Sequence, residues 1–179
     1  KNIIFLPNFL LLDETINMLD AFLYAIKDKL TKYFLIIKCH PASNSKEFIS
    51  RLNKYLSSRL DNNSYNIITY IINTYDYIFF SDLSIFLGGS MVIEAMALSA
   101  QSIVFLPRNN FSHNPITEYL DTVQYAYDRN SMKNVINSLN NHRKANKQMK
   151  VVNEMFYDLN VNPNQRFINI FEQLYKGVA

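Results

Sequence analysis

The chain of 179 residues carries 18 Lys and Arg against 15 Asp and Glu, a formal charge of +3, with 49% hydrophobic and 14% aromatic residues but only three Gly and five Pro. That hydrophobic content excludes an intrinsically disordered chain, the length suits one domain with one core, and scarce glycine and proline favour long regular elements. A single cysteine, Cys39, excludes an internal disulfide and a cysteine zinc site and points to a reducing compartment, while no apolar run reaches the roughly 20 residues of a spanning helix. The basic residues are spread out, which argues against nucleic acid and fits an anionic ligand or weak attraction to an anionic membrane surface. Lys1 is followed at once by the strand-like Ile3, Ile4, Phe5 and Leu6, so residues 1–179 are read as one domain of a longer protein.

In chain order, continuous apolar runs predict strands over residues 2–6, 33–39, 65–71, 83–87 and 102–106, with a weaker sixth over 123–127. Runs apolar on both faces suit a parallel sheet covered on both sides. After the first strand, Asp13 is placed to cap a helix whose apolar positions Ile16, Leu19, Phe22, Leu23, Ile26 and Leu30 recur at three and four. After the second, Ser43 or Asn44 opens a helix carrying Phe48, Leu52, Tyr55 and Leu56. Short helices are expected over 75–80 and 91–98. A loop follows over 107–115, and then helices near 131–142, 146–159 and 164–176. This alternation predicts an α/β domain, a Rossmann-like doubly wound parallel sheet of about six strands with flanking helices and a helical C-terminal tail. Ligands of such sheets bind beyond the carboxyl ends of the strands, at the reversal of strand order.

The carboxyl ends therefore supply the candidate residues. The second strand ends in KCHP, where a period of two puts Lys38 and His40 on one side and Pro41 stops the strand. A histidine there can donate to a phosphate oxygen, and Lys38 can add charge or bond within the protein. The fourth strand runs into Gly88-Gly89-Ser90, with Ser90 as the N-cap of the next helix and Glu94 one turn further on the same face. Strand, glycine turn and helix form an anion-binding arrangement, and a carboxylate one turn deeper can accept from a ribose diol. The plain alternative is a capped helix whose glycines allow close packing. Asn8, Asn73 with Thr74, and Arg108 through His113 also follow strands, where turn or cap roles compete with binding. Asp82 precedes the fourth strand, at the opposite edge, and His142-Arg143-Lys144 reads as a solvated helix end.

KxHP, together with GGSxxxEAxALxxxxIVF, resembles the C-terminal half of a GT-B glycosyltransferase of the bacterial surface-carbohydrate group. That group contains capsule polysaccharide transferases, polysialyltransferases and CDP-glycerol glycerophosphotransferases. The resemblance implies that His40 contacts donor phosphate and stabilises it on departure, that Gly88, Gly89 and Ser90 hold phosphate, that Glu94 binds ribose and that Lys38 assists. NVNPNQRFINIF, containing Gln165-Arg166, is similar to the family's ending. Relatives often carry Gly-Lys-Pro before the fifth strand, where this chain has Ser99-Ala100-Gln101.

The function so implied is donor binding in an inverting, metal-independent transferase that moves a sugar, or a similar phosphate-linked group, from a CMP-, CDP- or UDP-linked donor to a cell-surface glycan. No further cofactor is implied. The acceptor site and catalytic base would lie in an N-terminal domain outside this chain, and the location would be cytoplasmic, at the inner face of the membrane. Two alternatives stand beside it. UDP-sugar 2-epimerases share the fold and a Gly-Gly loop followed by a helical Glu, and a non-catalytic nucleotide-binding or scaffold domain would account for the 12 Tyr and 13 Phe as an interaction surface.

Overall fold

The strands form where the aliphatic runs lie: β1 (Asn2–Leu6), β2 (Phe34–Lys38), β3 (Tyr65–Ile68), β4 (Leu83–Phe86), β5 (Ser102–Phe105) and β6 (Gln124–Ala126). The structure, a computed structural model, describes residues 1–7, 12–43, 45–70, 73–107 and 123–139. All pairings are parallel, in the order β3-β2-β1-β4-β5-β6. The chain builds outward from β1 through β3, then crosses back and builds outward from β4, so the reversal falls between β1 and β4.

Helices cover both faces, which is why the central strands read as unbroken apolar runs. Ile3 and Phe5 of β1 face α1 (Leu12–Ile26), α2 (Lys46–Ser57) and α5 (Arg129–Ser138), in a core that holds Met18, Phe22, Leu52, Leu56 and Met132. Ile4 and Leu6 face the other way, onto α3 (Thr74–Phe80) and α4 (Met91–Ala97), against Ile78, Val92, Ala95 and Met96. Phe5 meets Phe22 edge-on at 5.2 Å, a contact worth about 0.5–1.5 kcal/mol beyond its area burial. Asp20 joins the three helices of the first face. It accepts from Arg129 Nε at 2.5 Å and Tyr55 Oη at 3.1 Å, with Arg59 3.7 Å away. Burial by itself would raise the Asp20 carboxyl, but these hydrogen bonds and cations hold it below its ordinary value.

Three expected helix starts are corrected. Asp13 is not the cap of α1 but lies inside its first turn, where a carboxylate still complements the dipole. The cap of α2 is Ser45, whose Oγ accepts from Phe48 N at 3.1 Å; Ser43 belongs to a 3-10 turn over Pro41–Ser43, and Asn44 lies outside the described residues. Ser90 has helical dihedrals (φ −65°, ψ −25°), and its hydroxyl makes no capping bond, so α4 starts from the glycine turn without a side-chain cap. Asp128 and Ser131 close a reciprocal capping box at α5. The helices expected over 146–159 and 164–176, with Gln165-Arg166, lie outside the described residues.

Ser99 follows the end of α4 with φ 54°. It fills the left-handed position that glycine usually takes after a helix, which is where the resemblance places glycine. The chain turns out of α4 in the same way, at the cost of a strained serine.

Candidate functional site

Parallel strands bring all their carboxyl ends to one edge, and the register sets which residues are level there. Phe5 of β1 is paired with Ile37 of β2 on one side and with Ile85 of β4 on the other. His40 and Gly88 each lie three residues further on, so they stand at the same height on either side of the chain leaving β1. Two strand spacings separate them by about 10 Å. The glycine turn thus sits at the topological reversal, with His40 across from it.

Both glycines have positive φ, 81° at Gly88 and 90° at Gly89, a region that other residues enter only with strain. A Cβ built on Gly89 would meet no atom within 4 Å. Close packing is therefore not what keeps Gly89 a glycine; the backbone conformation is, and the space before it is open. Gly88 is buried, Gly89 half-buried and Ser90 exposed, so the turn climbs from core to surface. Hydrogen bonds from Val92 N to Gly89 O (3.5 Å) and from Ile93 N to Ser90 O (2.9 Å) begin α4.

His40 is exposed, and its Nδ1 accepts from Ala42 N at 3.1 Å. In the neutral ring that bond leaves the proton on Nε2, so the imidazole is a donor at Nε2. Lys38 is placed differently from the expectation of a shared side. β2 ends at Lys38, so strand alternation does not extend to His40, and Lys38 is only 5% exposed. Its Nζ donates to Cys39 O at 2.8 Å, and among the described residues no carboxylate pairs with it. Burial pushes its pKa down. Of its two anticipated roles, the internal bond is the one seen.

Glu94 stands in the first turn of α4, partly buried, with Oε2 enclosed and without a hydrogen-bond partner. The neighbouring Glu94 carboxylate pushes the phenol of Tyr75, in the first turn of α3, above its ordinary pKa. Tyr75 was not singled out from the sequence. Its only local signal is an aromatic two residues after a capping Asn, just past a strand. Asn73 is that cap, with Oδ1 accepting from Tyr75 N at 3.3 Å. Asn8 and Arg108 lie outside the described residues. Asp82 is at the opposite edge, as expected, where it accepts from Asn2 N at 2.7 Å.

The described residues contain no group of three or more His, Cys, Asp or Glu placed to hold a metal ion, and no helix among them is long and apolar enough to cross a membrane. A groove of about 860 Å³ runs between α2 and β3, past Lys46, Asn53, Tyr65 and Thr69. It contains none of His40, Gly88, Gly89, Ser90 or Glu94, so this groove and those polar groups are separate features.

No protein-family model matches the chain, and no curated protein sequence does. Solved structures do. A putative UDP-N-acetylglucosamine 2-epimerase from Listeria monocytogenes superimposes with a TM-score of 0.59 at 14% identity, over 83% of this chain and 39% of that one. A UDP-forming α,α-trehalose-phosphate synthase from Burkholderia xenovorans gives 0.60 at 9% identity, over 88% and 43%. The UDP-GlcNAc 2-epimerase from Neisseria meningitidis, solved with UDP-GlcNAc bound, gives 0.57 at 14% identity, over 88% and 44%. The fold is that of a GT-B domain. The chain spans less than half the length of each of these proteins. At such identities the likeness establishes the fold alone.

Proposed function

We propose that the carboxyl edge binds a nucleotide-activated sugar, and that the chain is the donor-binding part of a transferase that moves a sugar, or a related phosphate-linked group, to a cell-surface glycan. The observation that carries this reading is the register that sets His40 level with Gly88 across the strand reversal. A pyrophosphate lying over the open space at Gly89 would meet backbone N–H groups of the turn on one side and His40 Nε2–H on the other, while Glu94 would take the ribose. These donors would stabilise charge growing on the departing nucleotide phosphate. Buried and, among the described residues, without a carboxylate partner, Lys38 would add positive potential beneath the same edge. A metal-independent, inverting reaction with no further cofactor belongs to this reading through the family resemblance alone. The acceptor site and base would lie in a second domain, as the span of less than half of each structural match suggests. A bacterial capsule or related surface glycan, and a cytoplasmic site at the inner membrane face, belong to the same reading.

Calorimetry with CMP, CDP, UDP and GDP on the 179-residue chain tests it. At least one should bind, and His40→Ala and Glu94→Ala should each weaken it about tenfold with unchanged circular dichroism. Silence across all four nucleotides would favour a scaffold. The second reading, an epimerase, is favoured by the matched epimerase structures. Turnover of a UDP-sugar by the full-length enzyme without acceptor would establish it in place of the transferase.

A further inference from the structure

We propose that the groove between α2 and β3 binds carbohydrate, holding a stretch of glycan chain away from its reacting end; the source of that glycan rests on the transferase reading above, and the chemistry rests on the groove itself. At about 860 Å³ the groove is of ligand-site size. Its polar lining is almost wholly neutral. Asn53, Asn62, Asn66 and Ser50 are exposed along it, and among the described residues Lys46 is its one charged side chain. An amide carries an acceptor oxygen and two N–H donors, a pattern that meets neighbouring sugar hydroxyls, each both donor and acceptor. The Asn62 and Asn66 side chains have no hydrogen-bond partner among the described residues. Asn53 Oδ1 accepts from Tyr65 Oη at 2.9 Å, which fixes the Tyr65 ring and leaves the Asn53 amide nitrogen to donate. Tyr65, Ile49 and Ile67, each half-buried, supply an apolar floor for the C–H face of a sugar ring.

β3 is an edge of the sheet, paired with β2 alone. Cys39 N donates to Ile68 O at 3.0 Å, so by alternation Tyr65 and Ile67 turn their backbone groups away from β2 and towards the groove. An unpaired edge can take a peptide strand, but β3 has four residues and only these two face outward, a ladder too short to hold one. The hydrogen-bonding capacity lies mainly in the amides, which suits hydroxyls better than a peptide backbone. A single cation is also too little charge for a nucleic-acid backbone. Lys38 pairs with Ile68, so Cys39 and Thr69 are level at the carboxyl edge, about 5 Å apart. Thr69 lines the groove and His40 follows Cys39, so the groove opens beside the candidate donor site.

Nuclear magnetic resonance titration of the 179-residue chain with maltohexaose, chitohexaose and a sialic acid hexamer tests the groove with neutral, N-acetylated and acidic sugars. At least one should bind, with shifts centred on the backbone amides of α2 and β3. Asn62→Ala and Asn66→Ala should each weaken it about fivefold. Both asparagines are exposed, so neither change disturbs the core, and both variants should bind nucleotide as wild type does. No binding of any of the three sugars, or unchanged affinity in both variants, would overturn the inference, and nucleotide binding by the same samples would show the donor site standing without it. Sugar binding with silence from CMP, CDP, UDP and GDP would establish the groove and remove the donor reading instead. A peptide of alternating Thr and Val that shifts the same amides, while the sugars do not, would overturn the sugar assignment in favour of strand addition.

Discussion

Replacing Gly89 by alanine separates backbone conformation from packing. At φ 90° an added Cβ strains the chain, yet nothing lies within 4 Å to collide with it, so the cost is torsional alone. Left-handed backbone costs a non-glycine residue about 1–2 kcal/mol. A domain of this length loses about 2–4 °C of Tm per kcal/mol, so Gly89→Ala should melt about 2–8 °C below wild type. Gly89→Asn should cost less, because asparagine tolerates positive φ better. Gly88→Ala should cost at least as much, since Gly88 has φ 81° and is also buried. Thermal and urea unfolding followed by circular dichroism measure all three. A Tm for Gly89→Ala within about 1 °C of wild type would refute the claim that conformation is what holds glycine here.

Three further outcomes follow from the same geometry. The Asp20 carboxyl is held below its ordinary value of 3.8, so its contribution is present above that pH and lost as pH falls through the lower folded value. Asp20→Asn should therefore cost about 1–2 kcal/mol at pH 7 and converge with wild type in acid, as measured by urea midpoints at both pH values. Ser99→Gly should raise stability by about 0.5–1 kcal/mol by relieving φ 54°, and an unchanged urea midpoint would count against the strain. Burial lowers the Lys38 pKa, so the folded state disfavours its charge, and that penalty is relieved as pH rises towards 10.5. Lys38→Met should be neutral or stabilising at pH 7, should lose this pH dependence, and should weaken nucleotide binding.

The strand runs were legible because a covered parallel sheet demands apolar residues on both faces; all six strands form where the runs lie, with ends shifted by up to three residues. The glycine turn and Glu94 were legible because a strand running into two glycines and then a helical period allows few geometries. The helix starts at Asp13, Ser43 and Ser90 were misplaced because a cap depends on the dihedrals of one residue, and several neighbouring residues had suitable side chains. Tyr75 was missed because its significance depends on α4, and no local pattern ties residue 75 to residue 94.

The sequence by itself determined the class of fold, the parallel sheet and the edge where polar residues collect, since hydrophobic periodicity and turn chemistry are local properties. Only the tertiary structure decided that His40 and Gly88 are level, that Lys38 turns inward while His40 faces out, and that Glu94 keeps a buried oxygen. Those facts follow from strand order and register, which join residues dozens of positions apart, and a side chain's burial is set by what packs against it.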